Sequence, residues 1–156
     1  MTMRKLLGHA PLLFLLAGLA GCTSIEPYGN FLGANAPATL NEKLAADTVK
    51  QLTVLYPPAS TRFDLGQPTP DAYGSALVES LRIKGYAILE FEPDEAAPAG
   101  NSDTARPGLS LRYVLDAPAS TNLYRVTVMV GSQSLSRAYV AQNDTVAPAG
   151  AWVRKE

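Results

Sequence analysis

The chain has 156 residues, 13 of them basic and 14 acidic, for a formal net charge of −1, with one histidine and one cysteine. That is about one domain's worth of sequence. Without a basic excess it lacks the positive stripe that marks a nucleic-acid binder.

The opening carries the strongest local signal. Arg4 and Lys5 form a short positive region, and Leu6 to Ala20 is almost wholly apolar and uncharged. The apolar run is shorter than the roughly 20 residues of a spanning helix, and Gly8, Pro11 and Gly18 interrupt it. A positive start, a short apolar core and small residues at its end are the marks of a secretory signal. The end, Leu19-Ala20-Gly21-Cys22, resembles the bacterial lipobox. That resemblance implies a diacylglyceryl thioether on Cys22, cleavage before it, and acylation of the new amine. The competing reading is an ordinary buried thiol behind a plain signal peptide. Thr23 and Ser24 follow, with no Asp as an inner-membrane retention signal. Sorting to the periplasmic face of the outer membrane is therefore the expectation, with the protein lipid-anchored.

Cleavage would also narrow the chemistry. It removes two basic residues and no acid, leaving 13 − 2 = 11 bases against 14 acids, a net charge near −3. It removes His9 and converts Cys22 to a thioether. A Ser-His-Asp or Cys-His nucleophile and a Cys/His zinc site are then excluded. No GxxxxGK[ST] or GxGxxG stretch is present. Neither a cofactor, a metal nor a small-molecule substrate is expected. No enzyme is expected; one working only with carboxylates, Ser, Lys or Tyr stays open as a minor reading, and a concave pocket holding two acids would favour a carboxylate enzyme.

Residues 22–38 read as the lipidated N-terminus and a flexible tether, rich in Gly, Pro and Asn. Within it Pro27, Tyr28, Gly29, Asn30, Phe31 and Leu32 place two aromatics and a leucine together. Two readings stand for this group: it packs back on its own domain, or it docks on a partner.

The domain itself is expected over 39–141. A first helix follows Thr39, which with Glu42 fits a capping box. Leu40, Leu44, Thr48, Leu52 and Leu55 recur at helical spacing, and Pro57-Pro58 stop it. Arg62 to Leu65 alternates as a strand ended by Gly66. A second helix is predicted from Thr69 as cap and Pro70 as first residue, with Tyr73, Ala76, Leu77 and Leu81 on one face and Gly85 just past its end. The stretch from Tyr86 to Phe91 reads as the strand that completes a βαβ unit. Residues 92–107, rich in Pro, Ala, Gly and acids, read as a mobile surface loop.

Three alternating segments close the domain: Leu109 to Asp116, Leu123 to Val130, and Ser134 to Ala141 after a Gly131-Ser132 turn. They predict an antiparallel meander. Residues 142–156 read as a C-terminal tail whose Trp152 either packs on the domain or marks a contact. The sum is an α+β fold, two helices packed on one face of a mixed sheet of about five strands, preceded by a lipoprotein signal (1–21) and tether. Sheet order is not readable from the sequence. Phe63 to Leu65 and Leu135 to Val140 are the candidate edge strands for pairing with a partner.

The lipobox, the PYGNFL stretch and the run from LAADTVKQL through YPPASTRFDLGQPTPDAYGSALVESLRIKGYAILEF together resemble the TrbH lipoproteins of conjugative elements. The resemblance covers about the first two-thirds of the chain, and 92–107 departs from it. It implies a structural component of a conjugative type IV secretion system, with outer-membrane ring proteins of the channel as partners. By position, Pro27 to Leu32 become the docking segment. The alternative is an accessory lipoprotein of an envelope transport or lipid-trafficking system, which a deep apolar groove between helices and sheet would favour.

Overall fold

The computed structural model describes residues 28–32, 36, 38–93, 107–143 and 145–156. The signal peptide, Cys22 and residues 94–106 of the 92–107 loop lie outside that set. The element order is β1 (Gly29–Asn30), α1 (Ala38–Leu55), a 3-10 turn (Pro58–Ser60), β2 (Arg62–Leu65), α2 (Ala72–Ile83), β3 (Ala87–Leu89), β4 (Leu109–Asp116), β5 (Leu123–Val130), β6 (Gln133–Gln142), β7 (Thr145–Pro148) and β8 (Val153–Lys155).

Both helices form on the expected faces. In α1, Leu40, Leu44, Thr48, Val49 and Leu52 are buried, while Glu42, Lys43, Ala46 and Lys50 are exposed. Pro57 and Pro58 follow at once, because proline lacks the N–H that the next helical turn would use. α1 begins at Ala38, so Thr39 lies inside the first turn instead of capping it.

The start of α2 is also corrected. Asp71, not Thr69, is the N-cap, and its Oδ1 accepts from the amides of Tyr73 at 3.1 Å and Gly74 at 3.0 Å. A carboxylate outperforms a hydroxyl there, since it also complements the positive end of the helix dipole. At the other end the Gly85 amide reaches Arg82 O at 2.9 Å and the Tyr86 amide reaches Leu81 O at 3.1 Å. Gly85 has φ +86°. This is a Schellman ending, in which glycine takes the left-handed position and Tyr86 buries against Leu81.

The sheet is mixed. Its path runs β3-β2-β4-β5-β6-β7, with β1 on β4 and β8 on β6. β2 lies parallel to both β3 and β4, with Phe63 opposite Ile88 on one side and Leu109 on the other. The β2-α2-β3 unit is thus the expected βαβ. β4, β5 and β6 form the antiparallel meander, with Tyr113 opposite Val128 and Val128 opposite Leu135.

Eight strands replace the expected five. The three additional ones come from the chain ends. β1 pairs with residues 114–115 of β4, β7 with residues 139–142 of β6, and β8 with residues 134–136 of β6. Each is two to four residues long, too short to show the alternation that reveals a strand in sequence.

Side chains of one sheet face meet the helices. Phe63, Leu65, Leu111, Tyr113, Leu115, Val126, Val128, Val130, Leu135 and Tyr139 are buried there with Leu44, Leu52, Tyr73, Leu77 and Leu81. Helix α2 approaches β4 closely at Gly74. A Cβ at that position would lie 2.2 Å from Tyr113 Oη, so only glycine fits.

Candidate docking surfaces

The segment expected to dock is largely seated on its own domain. Gly29 and Asn30 pair in parallel with Val114 and Leu115, and the Phe31 amide donates to Leu115 O at 2.7 Å. Asn30 accepts from the Leu32 amide at 2.9 Å through Oδ1, and its Nδ2 lies 3.4 Å from Oδ1 of buried Asn41 on α1. Leu32 packs against the core. Tyr28 stacks against Arg112, whose guanidinium carbon is 5.0 Å from the ring centroid. Gly29 has φ +137°, a conformation costly for other residues, and it sets the turn between Tyr28 and the pairing residues. Phe31 alone points outward, 54% exposed. Pro27, like Cys22, lies outside the described residues.

Arg112 had no signal in sequence. It reads as a solvent-facing residue of an alternating strand, yet it is held between the Tyr28 ring and the backbone of Gly66. A Cβ on Gly66 would stand 2.5 Å from Arg112 Nε. That nitrogen is buried without a hydrogen-bond partner among the described residues. Two other cations of this outer sheet face pair across or along strands. Arg62 binds Asp64 at 2.9 Å, and Arg125 Nε binds Asp116 at 3.0 Å.

Between helices and sheet runs a chain of phenols. Tyr113 donates to Asp71 Oδ2, so one carboxylate caps α2 and ties it to β4. Tyr73 meets Thr48 Oγ1 at 3.0 Å, and Thr48 in turn donates to Leu44 O at 2.8 Å. Tyr139 and Arg137 both donate to Asp47 Oδ2, at 2.7 and 2.8 Å. Burial pushes Tyr73, Tyr113 and Tyr139 well above the ordinary 10.0, with Asp71 adding at Tyr113 and Asp47 at Tyr139. The phenols are therefore protonated donors at neutral pH. Desolvation strengthens this linkage and gives no oxygen nucleophile. Among the described residues no three His, Cys, Asp or Glu side chains group as metal ligands.

The open edges differ from expectation. Phe63 to Leu65 lies between β3 and β4, and Leu135 to Val140 lies between β5 and β7/β8. Among the described residues β3, the two-residue β1 and the β7/β8 line are the edges. The last is guarded by Pro148 and by the charges of Arg154 and Lys155, as edge strands commonly are. β3 is bordered by exposed apolar groups: Leu89 is 56% and Phe91 37% exposed. Trp152 is half-buried against the core, beneath Arg137 at 6.0 Å.

The architecture is thus a two-layer α+β domain whose helices are tied to the sheet through Asp71 and Asp47, with an open sheet edge at β3. A family model described as conjugal transfer protein TrbH matches residues 25–156. The chain belongs to the TrbH family of conjugal transfer proteins. No curated protein and no solved structure matches it.

Proposed function

We propose that the protein is an outer-membrane lipoprotein, anchored at the periplasmic face through Cys22, that serves as a structural component of a conjugative type IV secretion system. The observation that carries this reading is the TrbH match over residues 25–156, directly after a Leu-Ala-Gly-Cys stretch of the kind that closes a lipoprotein signal. Among the described residues no helix is long and apolar enough to cross a membrane; on this reading the lipid on Cys22 supplies the attachment.

The fold gives the anchor a short reach. Because residues 28–32 sit on the sheet, only residues 23–27 separate Cys22 from the domain. Extended chain over that stretch spans at most about 20 Å. On this reading the Asn30 to Asn41 contact puts the start of α1 nearer the tether than its end. Such tethering raises the effective concentration of the domain near a partner held at the same surface.

Two surfaces suit outer-membrane ring proteins of the channel. Phe31 is the side chain of the docking segment free to leave the domain, and β3 is an edge to which a partner strand can add. The lipid-trafficking alternative calls for a groove between helices and sheet. That space is filled by Leu44, Leu52, Leu77, Phe63 and the buried rings of Tyr73, Tyr113 and Tyr139, which weighs against it.

The test is a crosslinked pull-down from membranes of cells carrying the transfer genes, comparing wild type with Cys22→Ser. Channel ring proteins recovered with wild type, and sharply reduced with Cys22→Ser, are the expected result. Recovery of none in either sample would overturn the channel assignment. Equal recovery would remove the anchor from assembly and leave the affinity to the domain.

A further inference from the structure

The outer sides of α1 and α2 enclose a groove of about 510 Å³ that none of the surfaces above includes. Val49, Thr53 and Val54 of α1 line it with Ile83 of α2, and Lys50 and Lys84 line it too. No residue of the sheet takes part. Val54 and Ile83 are 74% and 75% exposed, the most exposed large hydrophobics among the described residues. Neither serves the core, which draws on Leu44, Leu52, Leu77 and Leu81. Among the described residues, no ion pair includes Lys50 or Lys84. Lys84 closes α2, where the helix dipole suits a cation. Lys50 lies in the body of α1, where the dipole gives no such reason.

We propose that this groove receives an amphipathic helix of a protein partner, one whose apolar ridge is flanked by carboxylates. An apolar trough between two helices, bordered by positive charge, is the complement of such a helix. A second copy of this chain, paired through a two-fold axis, would set Lys50 and Lys84 against themselves or each other. Like charges so placed are repulsive. A bilayer is flat, whereas the trough is concave.

The experiment places a photoreactive benzophenone residue at Val54, at Ile83, or at Val153 on the far edge as control. The full-length protein is expressed with the transfer genes and irradiated in cells, and crosslinked peptides are sequenced. Val54 and Ile83 are mostly in solvent, so the fold tolerates the probe. The expected result is one partner segment with apolar residues at helical spacing and Asp or Glu on its flanks, captured from both groove positions and not from Val153. The yield should fall at least about tenfold in Lys50→Glu/Lys84→Glu and by less in Lys50→Gln/Lys84→Gln, with far-UV circular dichroism unchanged. The proposal is overturned if the groove probes capture nothing, phospholipid, a second copy, or a basic or extended segment, and equally if charge reversal leaves the yield unchanged. Channel proteins in the pull-down with silent groove probes would sink this inference alone. An acidic helix from a protein outside the channel would uphold the groove and sink the channel assignment.

Discussion

Asp71 serves two elements through one carboxylate. Oδ1 satisfies the Tyr73 and Gly74 amides at the start of α2, and Oδ2 accepts from Tyr113 of β4. Replacing it by alanine removes a cap, worth about 1 kcal/mol, and orphans a buried hydroxyl, at about 1–3 kcal/mol. Tyr113→Phe removes the hydroxyl together with its need for a partner and leaves the cap in place. Urea denaturation should therefore show Asp71→Ala losing about 2 kcal/mol or more, and Tyr113→Phe about 1 kcal/mol. Equal losses would mean that Asp71 acts only through Tyr113. The sequence points to Thr69 as the cap and Pro70 as the first helical residue. The structure starts the helix at Ala72 with Asp71 as its cap, and Tyr113, 42 positions away, holds the other oxygen of that carboxylate.

At the scale of elements, β1 is the weakest attachment. It pairs over two residues and is reinforced by the Tyr28 to Arg112 stack and the Asn30 to Asn41 contact. A cation–π contact at such a site contributes about 0.5–1 kcal/mol. In Arg112→Ala, hydrogen exchange of the Phe31 amide should accelerate about two- to fivefold, while amides shared by β4 and β5 keep their protection. Unchanged exchange at Phe31 would show that Asn30 and Leu32 hold the strand without Arg112. The longer elements were legible because each carries its own period: Leu40, Leu44, Thr48 and Leu52 for α1, and Leu111, Tyr113 and Leu115 for β4. β1, β7 and β8 have no such pattern, and a neighbouring strand's open hydrogen bonds define them.

Taken whole, the molecule is tied together by buried phenols, among them Tyr73 of α2, Tyr113 of β4 and Tyr139 of β6. Each has its proton affinity raised by burial above the ordinary 10.0. A phenol that binds its proton more tightly folded than unfolded adds stability that is fully present below about pH 10, the unfolded value. That contribution is lost as pH rises above it, because the unfolded chain then binds fewer protons. The domain should therefore lose stability progressively above about pH 10. Ionisation of these three tyrosines, followed by ultraviolet absorption, should coincide with loss of circular dichroism. Their ionisation without unfolding would mean that water reaches them in the folded state.

Local chemistry set a good part of this protein. A positive start, a short apolar core and Leu-Ala-Gly-Cys form a contiguous pattern, and so do the two amphipathic helices, the Gly85 ending and the alternating meander strands. Hydrogen-bonding needs and side-chain periodicity act over a few residues, so the sequence displays them directly. Sheet order is a different kind of property. Phe63 to Leu65 reads as a candidate edge and is interior, because whether a strand's outer hydrogen bonds are taken depends on where distant segments settle. The groove is likewise a product of packing. Val54 and Ile83 fall off their helices' core stripes, a faint local sign, but only the side-by-side placement of α1 and α2 turns two stray apolar residues and two lysines into one surface.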